Sequence, residues 1–109
     1  MEVRAVAKHT GIPASKVRLL VNMVRGKAVD EALTLLKFAP TPHARVVAKV
    51  VKSAAANAEN NFQMSPSDLK VVRIFVDKAW TMKRHRPRAR GRANTILKRS
   101  SNITVIINE

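Results

Sequence analysis

The chain has 109 residues, enough for one domain with a modest core. It carries 21 Lys and Arg against 7 Asp and Glu, a formal charge of +14, while 46% hydrophobic residues exclude a wholly disordered basic tail. Cysteine is absent, which excludes disulfides and thiolate metal sites, and no apolar run approaches the roughly 20 residues of a membrane span. The amino terminus shows no signal pattern, so we expect a soluble intracellular protein.

The first quarter of the chain predicts a strand followed by a helix. Val3, Ala5 and Ala7 alternate with mostly polar residues, which is typical of a short, half-buried strand. Residues 13–25 then repeat apolar side chains at i, i+3, i+4 and i+7, and Gly26 stands where helices commonly end. The apolar stripe of this helix consists of Val17, Leu20, Val21 and Val24.

Two more helices are predicted, one on each side of Pro40. The second helix repeats the same apolar pattern with Val29, Ala32, Leu33 and Leu36. The third is predicted to start at Thr41-Pro42, a capping hydroxyl followed by proline at the first helical position, and to end near Asn61. Its apolar face holds Val47, Val50, Val51, Ala54 and Ala58, and its opposite face holds Arg45, Lys49 and Lys52. The basic face favours polyanion binding, with a merely solvated face as the alternative.

The last third of the chain predicts two strands and a long hairpin between them. The strand segments, 69–76 and 103–107, are rich in β-branched residues. If they pair as antiparallel neighbours, the segment between them projects as one hairpin with a reach of roughly 30 Å. Pro87 cannot donate a ladder hydrogen bond, so it belongs at an edge or near the tip. We therefore expect a single domain, 1–109, with a globular body of about 1–77 plus 99–109 and a hairpin of about 78–98.

The predicted hairpin carries the densest positive charge. Between Lys83 and Arg92, six of ten residues are Lys or Arg, and no acidic residue occurs between Lys78 and Asn108. Arginine occupies every second position from Arg84 to Arg92, so an extended backbone would direct five guanidinium groups to one side. Such charges repel one another unless a dense counter-charge meets them, and a phosphate backbone is the commonest. A disordered, solvated loop is the alternative.

Segments of specific sequence occur in order along essentially the whole chain. In the hairpin region they are Met82-Lys83-Arg84, Pro87-Arg88-Ala89-Arg90-Gly91-Arg92-Ala93, Ile96-Leu97-Lys98-Arg99 and Ile103-Thr104-Val105. In the body they are Lys16-Val17-Arg18-Leu19, Arg25-Gly26-Lys27 and residues 50–58 with Ser53 and Asn57. Together these segments resemble the large-subunit ribosomal protein twenty-two family of the bacterial type.

This resemblance implies an α+β fold, in which a three-stranded antiparallel sheet packs with three helices and a long basic β-hairpin protrudes. It implies a structural constituent of the large subunit of cytoplasmic ribosomes that supports subunit assembly, with no enzymatic activity, cofactor or metal. The body would lie near the exit of the peptide tunnel, while the hairpin would pass through 23S rRNA and contribute its tip to the tunnel wall. The implied partners are large-subunit rRNA, neighbouring ribosomal proteins and the nascent peptide, with no membrane and no small-molecule substrate.

Two groups of candidate rRNA-binding residues follow. The hairpin group, which includes the tunnel segment, is Met82, Lys83, Arg84, His85, Arg86, Pro87, Arg88, Arg90, Gly91, Arg92, Lys98 and Arg99. The body group is Lys16, Arg18, Arg25, Lys27 and Asn57, to which the basic helix face adds Arg45, Lys49 and Lys52.

The chain departs from the family pattern at two places. Family members often have Ser-Pro before the first helix, whereas this chain has Pro13-Ala14-Ser15. An acidic Glu-Gly-Pro is common at the hairpin base, whereas this chain has Lys78-Ala79-Trp80, which adds positive charge and removes a turn former. Trp80 is compatible with stacking on a base and with packing against the hairpin arms.

Two other classes of function account for part of the pattern. A small ribonuclease would use His85, but His9, His43 and His85 have no partner at a recognisable spacing, and no phosphate loop or nucleophile motif occurs.

A DNA-binding architectural protein would explain the charge, but no helix-turn-helix or finger pattern is evident, and the most basic element is a hairpin. Folded RNA is recognised by its shape and phosphate geometry, which suits a slim basic ribbon better.

Overall fold

The computed structural model describes residues 2–109, in which three helices pack on one face of a three-stranded sheet. The helices are α1 (Ala14–Val24), α2 (Val29–Lys37) and α3 (Ala44–Phe62). The strands are β1 (Val3–Ala7), β2 (Lys70–Lys78), β3 (Met82–Pro87), β4 (Ala93–Lys98) and β5 (Ser101–Asn108). The body sheet has the order β1-β5-β2 with antiparallel neighbours, and β3 pairs with β4 in a separate two-stranded ladder. This architecture confirms the predicted fold class.

The core lies between the helices and the inner face of the body sheet. Each inner row joins three strands, and the first row places Val3 opposite Ile107 and Ile107 opposite Val71, all three buried. The predicted apolar faces of α1 and α3 are buried in full, whereas Leu33 of α2 is only half-buried. Alternation in the strands and the 3.6-residue period in the helices therefore direct the same side chains inward that the sequence predicted.

The start of α3 differs from the prediction. Regular helix begins at Ala44, and the preceding residues form a tighter turn in which the Ala44 N–H donates to the Thr41 carbonyl (3.3 Å) and the Arg45 N–H to the Pro42 carbonyl (3.2 Å). The Thr41 hydroxyl accepts a hydrogen bond from the His43 N–H at 3.3 Å, and no side chain caps the helix itself. The predicted capping hydroxyl therefore stabilises the turn that precedes the helix.

The outer edge of β2 is covered by the link between α1 and α2. α1 ends at Val24, and in the turn that follows Arg25 is extended and the Lys27 N–H donates to the Val24 carbonyl at 3.2 Å. Gly26 has a left-handed backbone in this turn (φ 78°), as its position predicted. Its N–H donates to the Val71 carbonyl at 3.0 Å, and the Val71 N–H donates to the Lys27 carbonyl at 2.9 Å. Further along, the Val29 N–H donates to the Leu69 carbonyl at 3.1 Å. These bonds satisfy edge groups that would otherwise be open to pairing with another chain.

The β3–β4 hairpin, here called the arm (residues 82–98), makes the molecule elongated. Its ladder runs from Met82 opposite Lys98 to Pro87 opposite Ala93, which places Pro87 next to the tip, as predicted. The molecule measures 63 × 26 × 17 Å, and its radius of gyration is 17.0 Å. A compact chain of this length would have a radius of gyration of about 13 Å. The antiparallel pairing of β2 with β5, on which the hairpin prediction depended, is confirmed.

Candidate nucleic-acid interface

The base of the arm is tied to the segment that leads into α1. The buried hydroxyl of Ser101 shares a 2.8 Å hydrogen bond with the hydroxyl of Thr10, and the Thr10 N–H donates to the Ser101 carbonyl at 3.1 Å. Beside it, the Gly11 N–H donates to the Ser100 hydroxyl at 2.9 Å. The Ala79 N–H donates to the Ser100 carbonyl at 3.1 Å, across the two chain segments that enter the arm. This network fixes the point at which the arm leaves the body.

The two faces of the arm differ in charge. Residues directly opposite each other in an antiparallel ladder project to the same face, so the register assigns every side chain. One face, the arginine face, carries Met82, Arg84, Arg86, Asn94, Ile96 and Lys98. The other face carries Lys83, His85, Pro87, Ala93, Thr95 and Leu97. Three cations therefore lie on the first face and one on the second.

The tip of the arm reverses the chain over residues 88–92. The Arg88 N–H donates to the Arg92 carbonyl at 2.6 Å, which closes the turn. Arg90 and Gly91 are both left-handed, with φ of 62° and 71°. Glycine adopts this conformation without a steric cost, whereas arginine does so against a penalty of about 1 kcal/mol.

This turn overturns the prediction that five arginines form one straight row. Arg84 and Arg86 do share a strand face, but β3 ends at Pro87. The remaining three, Arg88, Arg90 and Arg92, surround the reversal. Alternation holds only while the backbone stays extended, and the left-handed pair at the tip ends that condition. The result is a short basic strand face followed by a basic tip.

The arm buries almost nothing. Every residue from 83 to 95 is exposed, and only Met82 and Ile96 are half-buried. No side chain of the arm takes part in an ion pair among residues 2–109. Its cations are therefore held by ladder geometry and face solvent.

Two arginines assigned to the RNA-facing body also stabilise the fold. The Arg25 guanidinium donates to the Ile74 carbonyl at 2.8 Å and to the Asn22 side-chain oxygen at 3.0 Å. The Arg18 guanidinium donates to the Val76 carbonyl at 3.5 Å. These contacts continue the coverage of the β2 edge beyond the α1–α2 link. A guanidinium has five N–H donors, so both side chains keep donors that face outward.

The other candidates of the body stand in varied surroundings. Lys16 is exposed, Asn57 is half-buried in α3, and Lys27 lies 3.9 Å from Glu31 one helical turn along the chain. The basic face of α3, which consists of Arg45, Lys49 and Lys52, is exposed. All three of these residues line an open cleft of about 860 Å³ between α2 and α3. The ion pair between Glu2 and Arg73 (2.7 Å) joins residues 71 positions apart, and no pattern in the sequence predicted it.

The remaining candidates give no catalytic constellation. His9 lies in the loop after β1, His43 directly precedes α3, and His85 belongs to β3. Within residues 2–109, no three side chains of the metal-binding types lie close enough to hold an ion. The Trp80 side chain is 69% exposed, so the arm covers little of it. No helix in the described part of the chain is long and apolar enough to cross a membrane.

Fold and charge together define a basic α+β protein whose cations concentrate on a projecting hairpin. The sequence profile described as Ribosomal protein L22p/L17e matches residues 5–108, and the chain belongs to this family. It is 63% identical over 107 residues to the large ribosomal subunit protein uL22 of Dehalococcoides mccartyi, with 98% of each chain covered. It is 51% identical over 109 residues to the uL22 protein of Thermoanaerobacter sp. strain X514, covering 100% of this chain and 98% of the relative. The uL22 protein of Pediococcus pentosaceus is 51% identical over 106 residues, covering 97% and 90%.

Proposed function

We propose that this protein, a structural and non-enzymatic constituent of the large ribosomal subunit, binds 23S rRNA through its basic body and its arm. The arm reaches the wall of the peptide exit tunnel, and the contacts of both regions support subunit assembly. Its other partners are neighbouring ribosomal proteins and the nascent peptide. Membership of the ribosomal family supports the place in the subunit. The rRNA contacts and the tunnel are supported by the charge and shape of the chain.

The observation that carries this proposal is the arm itself. It holds cations on a ladder that buries no residue between 83 and 95, and it has no carboxylate of its own. Such an element gains little from folding alone, because like charges repel and an isolated hairpin is marginal in water. Threading between phosphate backbones removes both penalties at once, since each phosphate contact neutralises a cation and releases counterions.

The shape assigns different roles to the two regions. The body offers its exposed α3 face, where Arg45, Lys49 and Lys52 stand opposite the buried valines, as a broad docking surface. The tip lies at the far end of a molecule 63 Å long, so it is the part that can reach a site remote from the docked body. The tip arginines suit bidentate contacts with phosphate oxygens.

Binding to subunits and to isolated nucleic acid tests the proposal. The protein should co-sediment with large ribosomal subunits in moderate salt and should prefer a folded rRNA fragment to duplex DNA at one salt concentration. Equal affinity for both nucleic acids, with no co-sedimentation, would support an architectural DNA-binding protein instead. As a control for the ribonuclease alternative, RNA incubated with the pure protein should remain intact, and His85→Ala should not change that result.

A further inference from the structure

A second cleft, of about 430 Å³, lies where the arm leaves the body. Three elements contribute cations to its lining: Arg18 from α1, Lys78 from the end of β2, and Arg99 from the link between β4 and β5. Its lining also includes three hydroxyl groups, which belong to Ser15, Thr81 and Ser100, and it contains no carboxylate. Cations and hydroxyls are the donors that proteins use for phosphate oxygens.

The cleft is preformed by contacts of the fold. Arg18 is oriented by its bond to the Val76 carbonyl (3.5 Å), two residues before Lys78 on the same strand. Ser100 is held by the bond that its hydroxyl accepts from the Gly11 N–H (2.9 Å) and by its carbonyl, which accepts from Ala79. The cations therefore converge because α1, β2 and the arm base are joined here, even though bringing them together is electrostatically unfavourable.

The first turn of α1 adds to the same potential. Pro13 occupies the N-cap position, so no side-chain oxygen caps the helix, and both Ala14 and Ser15 border the cleft. Backbone N–H groups at a helix start carry partial positive charge. Within this cleft they reinforce the three cations, which supply most of the field.

We propose that this cleft binds one backbone phosphate of RNA and that Lys78 is one of its ligands, together with Arg18 and Arg99. The inference rests on the proposed rRNA binding and refines it, since it locates a contact at the junction of body and arm. A phosphate held there would touch both regions at once, and it would set the direction in which the arm enters the RNA. Ser15 and Thr81, which also line the cleft, complete the donor set.

Two measurements on the full chain test the site. In the first, inorganic phosphate is titrated into isotope-labelled protein at constant ionic strength, with chloride as the reference anion. We expect saturable amide shifts at Ser15 and Thr81 that disappear in Lys78→Gln and in Arg99→Gln. Shifts spread evenly over the basic surface, and unchanged in both variants, would overturn the proposal.

The second measurement compares Lys78→Gln with Lys70→Gln in binding to an rRNA fragment. Lys70 is an exposed lysine at the other end of β2 and does not line the cleft, so it is a matched control. Loss of one phosphate contact should lower affinity about fivefold at 0.1 M salt and reduce the salt slope by about 0.7. The Lys70 variant should bind like the unmodified protein, and both variants should keep the melting temperature.

The outcomes separate this inference from the function on which it rests. If the unmodified protein binds rRNA but the two lysine variants behave alike, the cleft proposal is wrong and the function stands. If phosphate binds the cleft in a Lys78-dependent way but rRNA does not bind the protein, the anion site stands and the proposed function is wrong.

Discussion

The body sheet and the arm both consist of antiparallel strands with regular ladders, but different forces stabilise them. In the body, every second ladder row places side chains such as Val105 in a core that the helices cover. In the arm, the ladder is equally regular, yet no residue from 83 to 95 is buried. Backbone hydrogen bonds exchange with water at a net gain of only about 1 kcal/mol each, so apolar burial decides stability. We therefore expect the body to fold by itself and the arm to depend on a partner for order.

The two regions also differ in how their cations are used. Several body cations have partners within the protein: Arg25 bonds the edge of β2, Lys27 pairs with Glu31, and Arg73 pairs with Glu2. The arm contains no carboxylate. Positive charge in the body thus contributes to stability, and under the proposed function to RNA binding as well, whereas positive charge in the arm is assigned to binding alone.

The largest effect should follow a charge placed in the core. Val51 of α3 is fully buried, so Val51→Asp would leave an unpaired carboxylate among apolar side chains and should cost more than about 4 kcal/mol of the free energy of unfolding. The matched variant Ile96→Asp places the same group in the half-buried part of the arm and should leave the melting temperature nearly unchanged. Thermal unfolding followed by circular dichroism measures both, and similar destabilisation by both would mean that the arm belongs to the cooperative unit.

Removing the charge of the arm should affect RNA binding and spare the fold. Deletion of residues 83–92, or replacement of their six Lys and Arg by Gln, should reduce the salt slope of rRNA affinity by up to about 4 units. The isolated protein should keep its melting temperature, because the deleted residues are all exposed. The body should still dock on large subunits, with an altered response to ligands or nascent chains in the tunnel.

The length-preserving variant is the control for shape in that experiment. If deletion weakens binding but the glutamine variant does not, the outline of the arm and not its charge is what RNA recognises. Unfolding of the domain by the deletion would instead contradict the division of roles between body and arm.

A smaller effect is expected for the basic face of α3. Arg45, Lys49 and Lys52 are exposed opposite the valines, so replacing all three by Gln should reduce the salt slope by up to about 2 units without unfolding the protein. Affinity measured at several salt concentrations gives the slope, and a melting curve gives the control. A large loss of stability with unchanged affinity would show that this face is structural.

The smallest effect concerns order within the arm. In the free protein we expect amides of residues 83–92 to exchange rapidly with solvent, while those of β5 are protected by the core. In assembled subunits the same arm amides should be protected. Gly91→Ala, which strains the left-handed turn by about 1 kcal/mol, should change the arm spectra in nuclear magnetic resonance and leave the melting temperature alone. Strong protection of the free arm would show that it is a stable part of the fold.

Much of the body could be predicted because its elements follow local periodicity. The stripe from Val17 to Val24 predicted the buried face of α1, and the β-branched segments predicted the strands that flank the arm. The boundaries of the helices were predicted less accurately than their buried faces. Regular helix in α3 begins after the predicted Thr41-Pro42 start, because a hydroxyl stabilises a preceding turn as readily as a helix. The prediction of one row of five arginines was wrong for a related reason, because alternation in the sequence carries no information about where the strand turns.

The sequence by itself determined which side chains are apolar and at what period, and where the charge is concentrated. Those properties are local, and they predicted the three helices, the two strands that flank the arm and the projecting hairpin. The family, and with it the three-stranded sheet, was expected from the resemblance of specific sequence segments. Only the tertiary structure decided which distant residues meet. Thr10 and Ser101 are 91 positions apart, and Arg18 reaches Val76 across 58 positions, yet these contacts fix the base of the arm and the edge of β2. Such pairs arise because packing of the core brings the backbones together, and no pattern along the chain encodes a distance between segments that only that packing sets.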